Sequence, residues 1–294
     1  MNNLVSSACR TPGHVVNAMT VDVEDYFQVS AFERHIQRED WNRLECRVER
    51  NVERILALFD ARGVSATFFM LGWLAERYPQ LVRRIVASGH ELASHGYSHV
   101  RVTQQQPDEF RSDVVRTKKL LEDLGGVPVR GYRAASYSIG AANLWALDLL
   151  QEAGYDYSSS IYPINHDIYG WPAAPRFAFH HRNTGLLEIP VTTVALFNRN
   201  FPCGGGGYFR LLPYAVSRWA LRRVNLKDRE PCVFYFHPWE IDAGQPRQKN
   251  IGLKTRFRHY INLNRMEQRL ACLLGDFLWD RMDRVFLEAR QRQT

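Results

Sequence analysis

Short, β-branched apolar runs alternate with helical patterns along this 294-residue chain, and polar residues gather where the runs end. "NAMTVDV" (17–23) reads as a buried strand that closes on acids. "VERNVERILALFDARGV" spaces Val48, Val52, Ile55, Leu56 and Phe59 at a helical period and stops at Gly63. "SATFFML" (65–71) predicts a strand, "LAERYPQLVRRIVASG" a helix ending at Gly89, and "HELAS" a short strand. "PDEFRSDVVRTKKLLEDLGG" begins with acids and ends on a Gly pair, the polarity of a helix. "VRGYRAAS", "YDYSSSI", "LLEIPVTTV" and "CVFYFHPWE" supply further strands, and "ANLWALDLLQEAG" and "PYAVSRWALRRV" the helices between them. This alternation predicts an α/β fold of parallel strands with crossover helices. Residues 162–210 break the rhythm with Pro, Gly, His and aromatics, which predicts long loops over one face. Residues 244–264 are basic and irregular, and an amphipathic helix follows them.

The strand exits carry the chemistry. Asp22, Glu24 and Asp25 end the first strand, His95 and His99 follow the third, Arg133 and Ser136 the next, and His237 and Glu240 the last. Strand C-termini share one rim in a β/α barrel, and sites are built there. That convergence favours a closed or nearly closed barrel over an open sheet. His95 and His99 stand four residues apart. In a tightly coiled loop they can point the same way, and two imidazoles with one carboxylate form a common catalytic zinc set. Non-haem iron uses a similar one. Alone, the pair reads first as loop histidines that bond backbone in a turn; the acids upstream reverse the reading toward metal. In "DVED" (22–25), Asp22 and Glu24 share a strand face while Val23 points into packing. One carboxylate can then bind metal and the other act as base; the alternative is an acidic cluster at a helix N-terminus. "CGGGGYFR" (203–210) is followed by no Gly-Lys-Ser/Thr, so it is not a phosphate loop. It suits close approach of backbone to a bulky ligand, with Tyr208 and Phe209 as flat faces.

Five scattered cysteines without a C-x-x-C pair predict neither a zinc ribbon nor a disulfide framework. The N-terminal residues lack a basic segment followed by an apolar one, and no apolar run reaches membrane-span length. The expectation is therefore cytoplasmic. The net charge of +7 suits polyanions or the headgroups of an anionic membrane in peripheral contact, but much of the excess is scattered Arg and a solvated basic face accounts for it better; the basic residues form no basic–aromatic motif of the kind that binds nucleic acid. Oligomeric state is left open.

"TVDVEDYF", "SHGYSH", "GYRAASYSI", "YPINHDIYG", "GGGYFRLLP", "FYFHPWEID" and "RFRHYINL", in this order, resemble the polysaccharide deacetylases of the carbohydrate esterase 4 (NodB-homology) group. The likeness is closest to the branch of exosortase/PEP-CTERM exopolysaccharide loci and spans about residues 18–275. It implies a distorted (β/α)7-type barrel, a divalent metal that is usually Zn2+, and removal of N-acetyl groups from amino sugars. Residues 1–17 would be an N-terminal extension, with a C-terminal extension from about 244 and a helical tail over 276–294. By motif, Asp22 is implied as catalytic base, Arg133 as its orienting group and His237 as general acid. The implied metal ligands are His95, His99 and Glu24, with Asp25 the rival to Glu24. Tyr137, His166, Tyr208 and Trp239 are implied to meet the glycan. Two positions depart: Ala135 stands where relatives have Pro, and Ser158 where they carry an Asp supporting the motif arginine. Asp156, two positions away, is a substitute to test. Two other readings compete: an amide hydrolase of small or cyclic substrates, and a non-catalytic glycan-binding homologue.

Overall fold

The computed structural model describes residues 15–167 and 169–288. Its organising element is β1 (Val16–Val23), buried along nearly its whole length. β1 pairs in parallel with β2 (Thr67–Met70), and the sheet continues in parallel through β3 (Glu91–Ser94), β4 (Gly131–Tyr132), β5 (Tyr157–Ser158) and β7 (Leu187–Glu188). β6 (Phe179–His180) lies antiparallel on the far side of β7. On the other flank β10 (Val233–Phe236) runs parallel to β1, and β11 (Leu278–Asp280) pairs with the first residues of β1. β8 (Thr193–Leu196) and β9 (Arg199–Pro202) form a separate hairpin. No ladder joins β6 back to β10 among the described residues, so the sheet is a curled half-barrel. The α/β barrel expected from the strand exits is present in this distorted form.

Crossover helices cover the outside: α1 (Val48–Asp60), α2 (Gly72–Arg77), α3 (Pro79–Ala87), α4 (Pro107–Gly125) and α5 (Trp145–Glu152). The single helix expected before Gly89 is two, because Pro79 cannot continue a helix and forces Tyr78 out of helical geometry (φ −129°, ψ 62°). The later chain adds α6 (Gly206–Leu211), α7 (Tyr214–Arg223), α8 (Leu253–Tyr260) and α9 (Leu263–Asp276). Strand alternation divides the core. Met19, Val21 and Val23 of β1 pack with Val48, Val52 and Ile55 of α1, while Ala18 joins Phe69, Ala93 and Tyr157 in a second cluster inside the sheet. Met282 and Phe286 complete that inner cluster from the C-terminal segment. Within the stretch expected to be a helical tail, Leu278–Asp280 is a strand whose Trp279 is buried between less buried neighbours. Residues 1–14, most of the expected N-terminal extension, and 289–294 fall outside the described residues.

The inner cluster also holds a carboxyl pair. Glu91 on β3 accepts hydrogen bonds from Thr67 Oγ1 (2.5 Å) and Tyr157 Oη (2.9 Å), and Asp283 lies against it. Burial, and then the neighbouring Asp283, push Glu91 up to about 7. An acid raised on folding contributes stability that is complete below its unfolded pKa and lost as pH rises through the folded one. Thermal unfolding midpoints should therefore fall between about pH 4.5 and 7, and Glu91→Gln should flatten that decline. Parallel pH profiles of the two proteins would exclude Glu91 as its source.

Candidate active site

The site begins at the end of β1. Thr20, Asp22 and Glu24 are buried on one side of the strand, opposite the outward-packed valines. β3 delivers the histidines through a tight coil in which Gly96 (φ 74°) and His99 (φ 52°) take left-handed backbone. The coil is pinned from three sides. Gly72 and Trp73 of α2 donate their N–H groups to the Gly96 and Tyr97 carbonyls (both 2.9 Å). Asp113 of α4 accepts the Tyr97 N–H (2.9 Å), and the Arg38 guanidinium donates to the Ser98 and His99 carbonyls (2.8 and 3.1 Å). His95 and His99 end with ring centroids 5.2 Å apart.

Both imidazoles face Glu24. Its Oε1 lies 3.4 Å from His95 Nε2 and 3.2 Å from His99 Nε2, and one ligand atom from each residue lies within 4.8 Å of the others. His95 Nδ1 donates to the Arg133 carbonyl (2.8 Å), which leaves a lone pair on Nε2. His99 Nε2 is buried without a hydrogen-bond partner. Acceptor atoms converging on a buried carboxylate need a cation between them, so the donor set fits a divalent metal. Burial alone would raise Glu24, yet His99 and His237 hold it well below the usual carboxylate range. Asp25 is elsewhere. Its Oδ2 accepts the N–H groups of Arg47 (2.5 Å) and Val48 (2.8 Å) at the start of α1. Asp25 thus serves the N-terminus of the distant α1 rather than of a helix leading on from "DVED", and Glu24 is the acid placed among the histidines.

Asp22 is bound on both oxygens. Arg133 Nη1 donates to Oδ1 (2.5 Å) and Tyr137 Oη to Oδ2 (3.2 Å). Arg133 is fully buried, lies 4.0 Å from the Phe69 ring centre, and also donates to Thr20 Oγ1, the Ser159 carbonyl and Ser159 Oγ. Ala135, in the place of the usual Pro, leaves this arginine firmly held. Asp156 does not substitute for the absent acid: it pairs with Arg130 at the surface. Besides Asp22, the buried acid near Arg133 is Glu188, which faces Ser158 across the β5–β7 ladder. Its Oε1 accepts the Ser160 and Ile161 N–H groups (2.8 and 2.9 Å). Burial pushes Glu188 up, while Ser158, these N–H groups and Arg133 pull it back. The sequence reading missed this residue. Its one signal was a lone acid inside the apolar "LLEIPV" run.

The fourth strand end brings His237, whose Nε2 lies 3.4 Å from Glu24 Oε1. His237 Nδ1 donates to Glu240 Oε1 (2.8 Å), and the His237 N–H reaches the same oxygen (3.1 Å). Arg210 grips the other oxygen of Glu240 (2.6 Å) and donates to the His259 and Ile261 carbonyls. Burial works against a charged imidazole, but Glu24 and Glu240 outweigh it and push His237 up to about 10. Arg210 and His237 likewise overcome burial and hold Glu240 at about 2. Two glycines of the run pack tightly against the chain itself. A Cβ on Gly205 would meet the Tyr235 ring at 2.6 Å, and one on Gly206 would meet the Glu240 carboxylate at 2.3 Å. Because Arg210 and His237 pin that carboxylate, it cannot move aside. Gly206→Ala should cost about 1–3 kcal/mol of stability and lower turnover with it; an unchanged melting temperature would show that Glu240 yields.

These groups open into one cleft of about 720 Å³. Tyr137, His166, Tyr208 and Trp239, which the resemblance implies to meet the glycan, all line it. Their surroundings differ. His166 stacks on Tyr169 (4.1 Å) on one wall, and Tyr208 stands half-buried on another. Trp239 is 6% exposed and stacked on His237 and His259, so it supports His237 more than it offers a platform. Phe209, read as a second flat face, is a core residue against Phe234 and Tyr214.

Residues 40–158 match the family model described as polysaccharide deacetylase, and residues 159–287 match a domain of unknown function, DUF3473. Over residues 40–158 the chain is thus similar to the polysaccharide deacetylases. The matched stretch holds His95, His99 and Arg133; Asp22 and Glu24 precede it, and His237 lies in the region that follows. A Bacillus cereus peptidoglycan-N-acetylglucosamine deacetylase is 38% identical over 73 residues, 25% of this chain and 26% of the relative. A Helicobacter pylori peptidoglycan deacetylase is 30% identical over 116 residues, 38% of either chain. A Bradyrhizobium chitooligosaccharide deacetylase is 29% identical over 96 residues, 33% of this chain and 42% of the relative. Each alignment spans under half of the relative's length. The fold matches a crystal structure from Mycobacterium smegmatis, provisionally named a polysaccharide deacetylase, at 20% identity and TM-score 0.62, covering 97% of this chain and 94% of that one. No helix among the described residues is long and apolar enough to cross a membrane.

Proposed function

We propose that this chain is a metal-dependent hydrolase that removes N-acetyl groups from amino sugars of a polysaccharide or its lipid-linked precursor. The observation that carries the reading is the meeting of Glu24, His95 and His99 with two anchored proton-transfer groups, Asp22 and His237, in one open cleft. Glu24, His95 and His99 would hold the metal, Zn2+ by the donor set, and it would supply Lewis acidity toward the amide carbonyl and a water. Asp22, aligned by Arg133 and Tyr137, accepts the proton of the attacking water. His237, held by Glu240 with Nε2 facing the cleft, gives a proton to the departing nitrogen. The amide C–N bond breaks and a C–O bond forms, which yields acetate and a free amino sugar. His237 is raised partly through Glu24, so a cation on that carboxylate would ease the imidazole back toward a range in which it exchanges protons.

The motif order further supports a place in exopolysaccharide synthesis of the exosortase/PEP-CTERM kind, with the sugar modified in the cytoplasm before export. Recovery of the native protein from the periplasm would overturn that placement. The central test is elemental analysis of the purified protein together with acetate release from N-acetylglucosamine oligomers. About one divalent metal per chain with acetate release is expected. A protein that takes up no metal after reconstitution would defeat the reading. Metal without acetate release from any N-acetylated glycan would favour another amide substrate.

A further inference from the structure

Residues 244–264 contain five cations, Arg247, Lys249, Lys254, Arg256 and Arg258, and no acid. α8 runs through this stretch and buries only its last residues, His259 and Tyr260. Leu253 and Phe257, one turn apart on one face, are 83% and 57% exposed. Lys254 and Arg258, also one turn apart, reach a single acid, Asp167, at 2.7 and 3.1 Å. Lys249 and Arg256 face solvent, with no ion pair to an acid among the described residues. α8 is also an edge of the catalytic cleft. Thr255, Phe257 and Arg258 line it, as does Leu211 of α6, itself 42% exposed.

An exposed Leu–Phe pair set among cations that outnumber their single acid, Asp167, is unfavourable in water and matches the headgroup–acyl boundary of an anionic bilayer. A polyanion in solution would satisfy the cations and leave Leu253 unused. We propose that α8 docks this protein on anionic phospholipid, with Leu253 and Phe257 entering the interface and Lys249, Lys254 and Arg256 meeting the headgroups. The cleft mouth then opens at the membrane surface. Docking stands whether or not the chain is a deacetylase; its consequence, that the acetylated sugar is taken from a lipid carrier, rests on that reading.

The test is sedimentation of the full chain with vesicles of phosphatidylcholine alone or mixed equally with phosphatidylglycerol. Binding to the mixed vesicles only, reversed by high salt, is expected. Leu253 and Arg256 do not line the cleft, so Leu253→Asp with Arg256→Glu should keep acetate release from soluble oligomers. It should weaken vesicle binding about 100-fold, from a net change of three charge units at the surface. The rival face is α7 and the turn after it, where Trp219 and Leu226 stand exposed beside Arg222, Arg223 and Lys227. If wild type ignores anionic vesicles, or if Trp219→Ser with Arg223→Glu abolishes binding while the α8 variant binds normally, the proposal is wrong. Failure of the deacetylase reading would appear separately, as loss of acetate release in wild type with vesicle binding intact.

Discussion

Asp22→Asn is expected to keep its metal and lose about 10²–10⁴-fold in acetate release, whereas His95→Ala is expected to lose metal and turnover together. The contrast follows from where each side chain ends. His95 presents a lone pair to Glu24 and fixes its ring through the Arg133 carbonyl, so truncation removes a ligand atom. Asp22 offers its oxygens to Arg133 and Tyr137 instead, and an amide of the same shape preserves the packing while abolishing the base. The substitution also leaves the Arg133 guanidinium buried without its counter-charge, which costs about 3–5 kcal/mol. A lower melting temperature is therefore part of the expected result, and retained metal is what certifies that the site is still assembled. Equal metal loss in both variants would move Asp22 into the ligand set. Undiminished turnover in Asp22→Asn would require another base.

Strand exits were legible because an apolar run that stops on an acid or a histidine has little other purpose there. That logic located Asp22, Glu24, His95, His99, Arg133 and His237 before any coordinates, and all six line the cleft or touch its groups. It could not separate Glu24 from Asp25, since the distinction depends on where α1 begins in space, and the N-terminus of α1 captures Asp25. The glycines mark close approach without saying of what: Tyr235 and Glu240 of the same chain approach Gly205 and Gly206, while Gly207 lines the cleft. The strand-exit logic noted Glu240 without giving it a task, since an anchor acts only through the ring it holds. It overlooked Glu188 because β5 and β7 are neighbours only after β6 has been displaced to the edge.

Moving the Glu188 carboxylate one strand over should cripple acetate release at the first step and largely restore it at the second. Glu188→Ala strands the buried N–H groups of Ser160 and Ile161, at about 1–3 kcal/mol each. It also loosens the segment whose Ser159 carbonyl and hydroxyl hold Arg133. A small displacement of that guanidinium misaligns Asp22, and turnover should fall about 100-fold. Adding Ser158→Asp returns an acid to the paired position on β5, so turnover should recover even though the two N–H groups stay unbonded. Ser158→Asp alone should be harmful, because it sets two carboxylates against each other in a buried site. Glu188→Gln separates charge from geometry: it keeps an acceptor for both N–H groups and removes the negative charge beside Arg133. If Glu188→Gln behaves as wild type and the double variant recovers nothing, Glu188 is only a clamp on the backbone. If Glu188→Gln loses turnover while keeping its melting temperature, and Ser158→Asp rescues Glu188→Ala, the carboxylate positions Arg133 through its charge, from a strand beside the one that carries the family's acid.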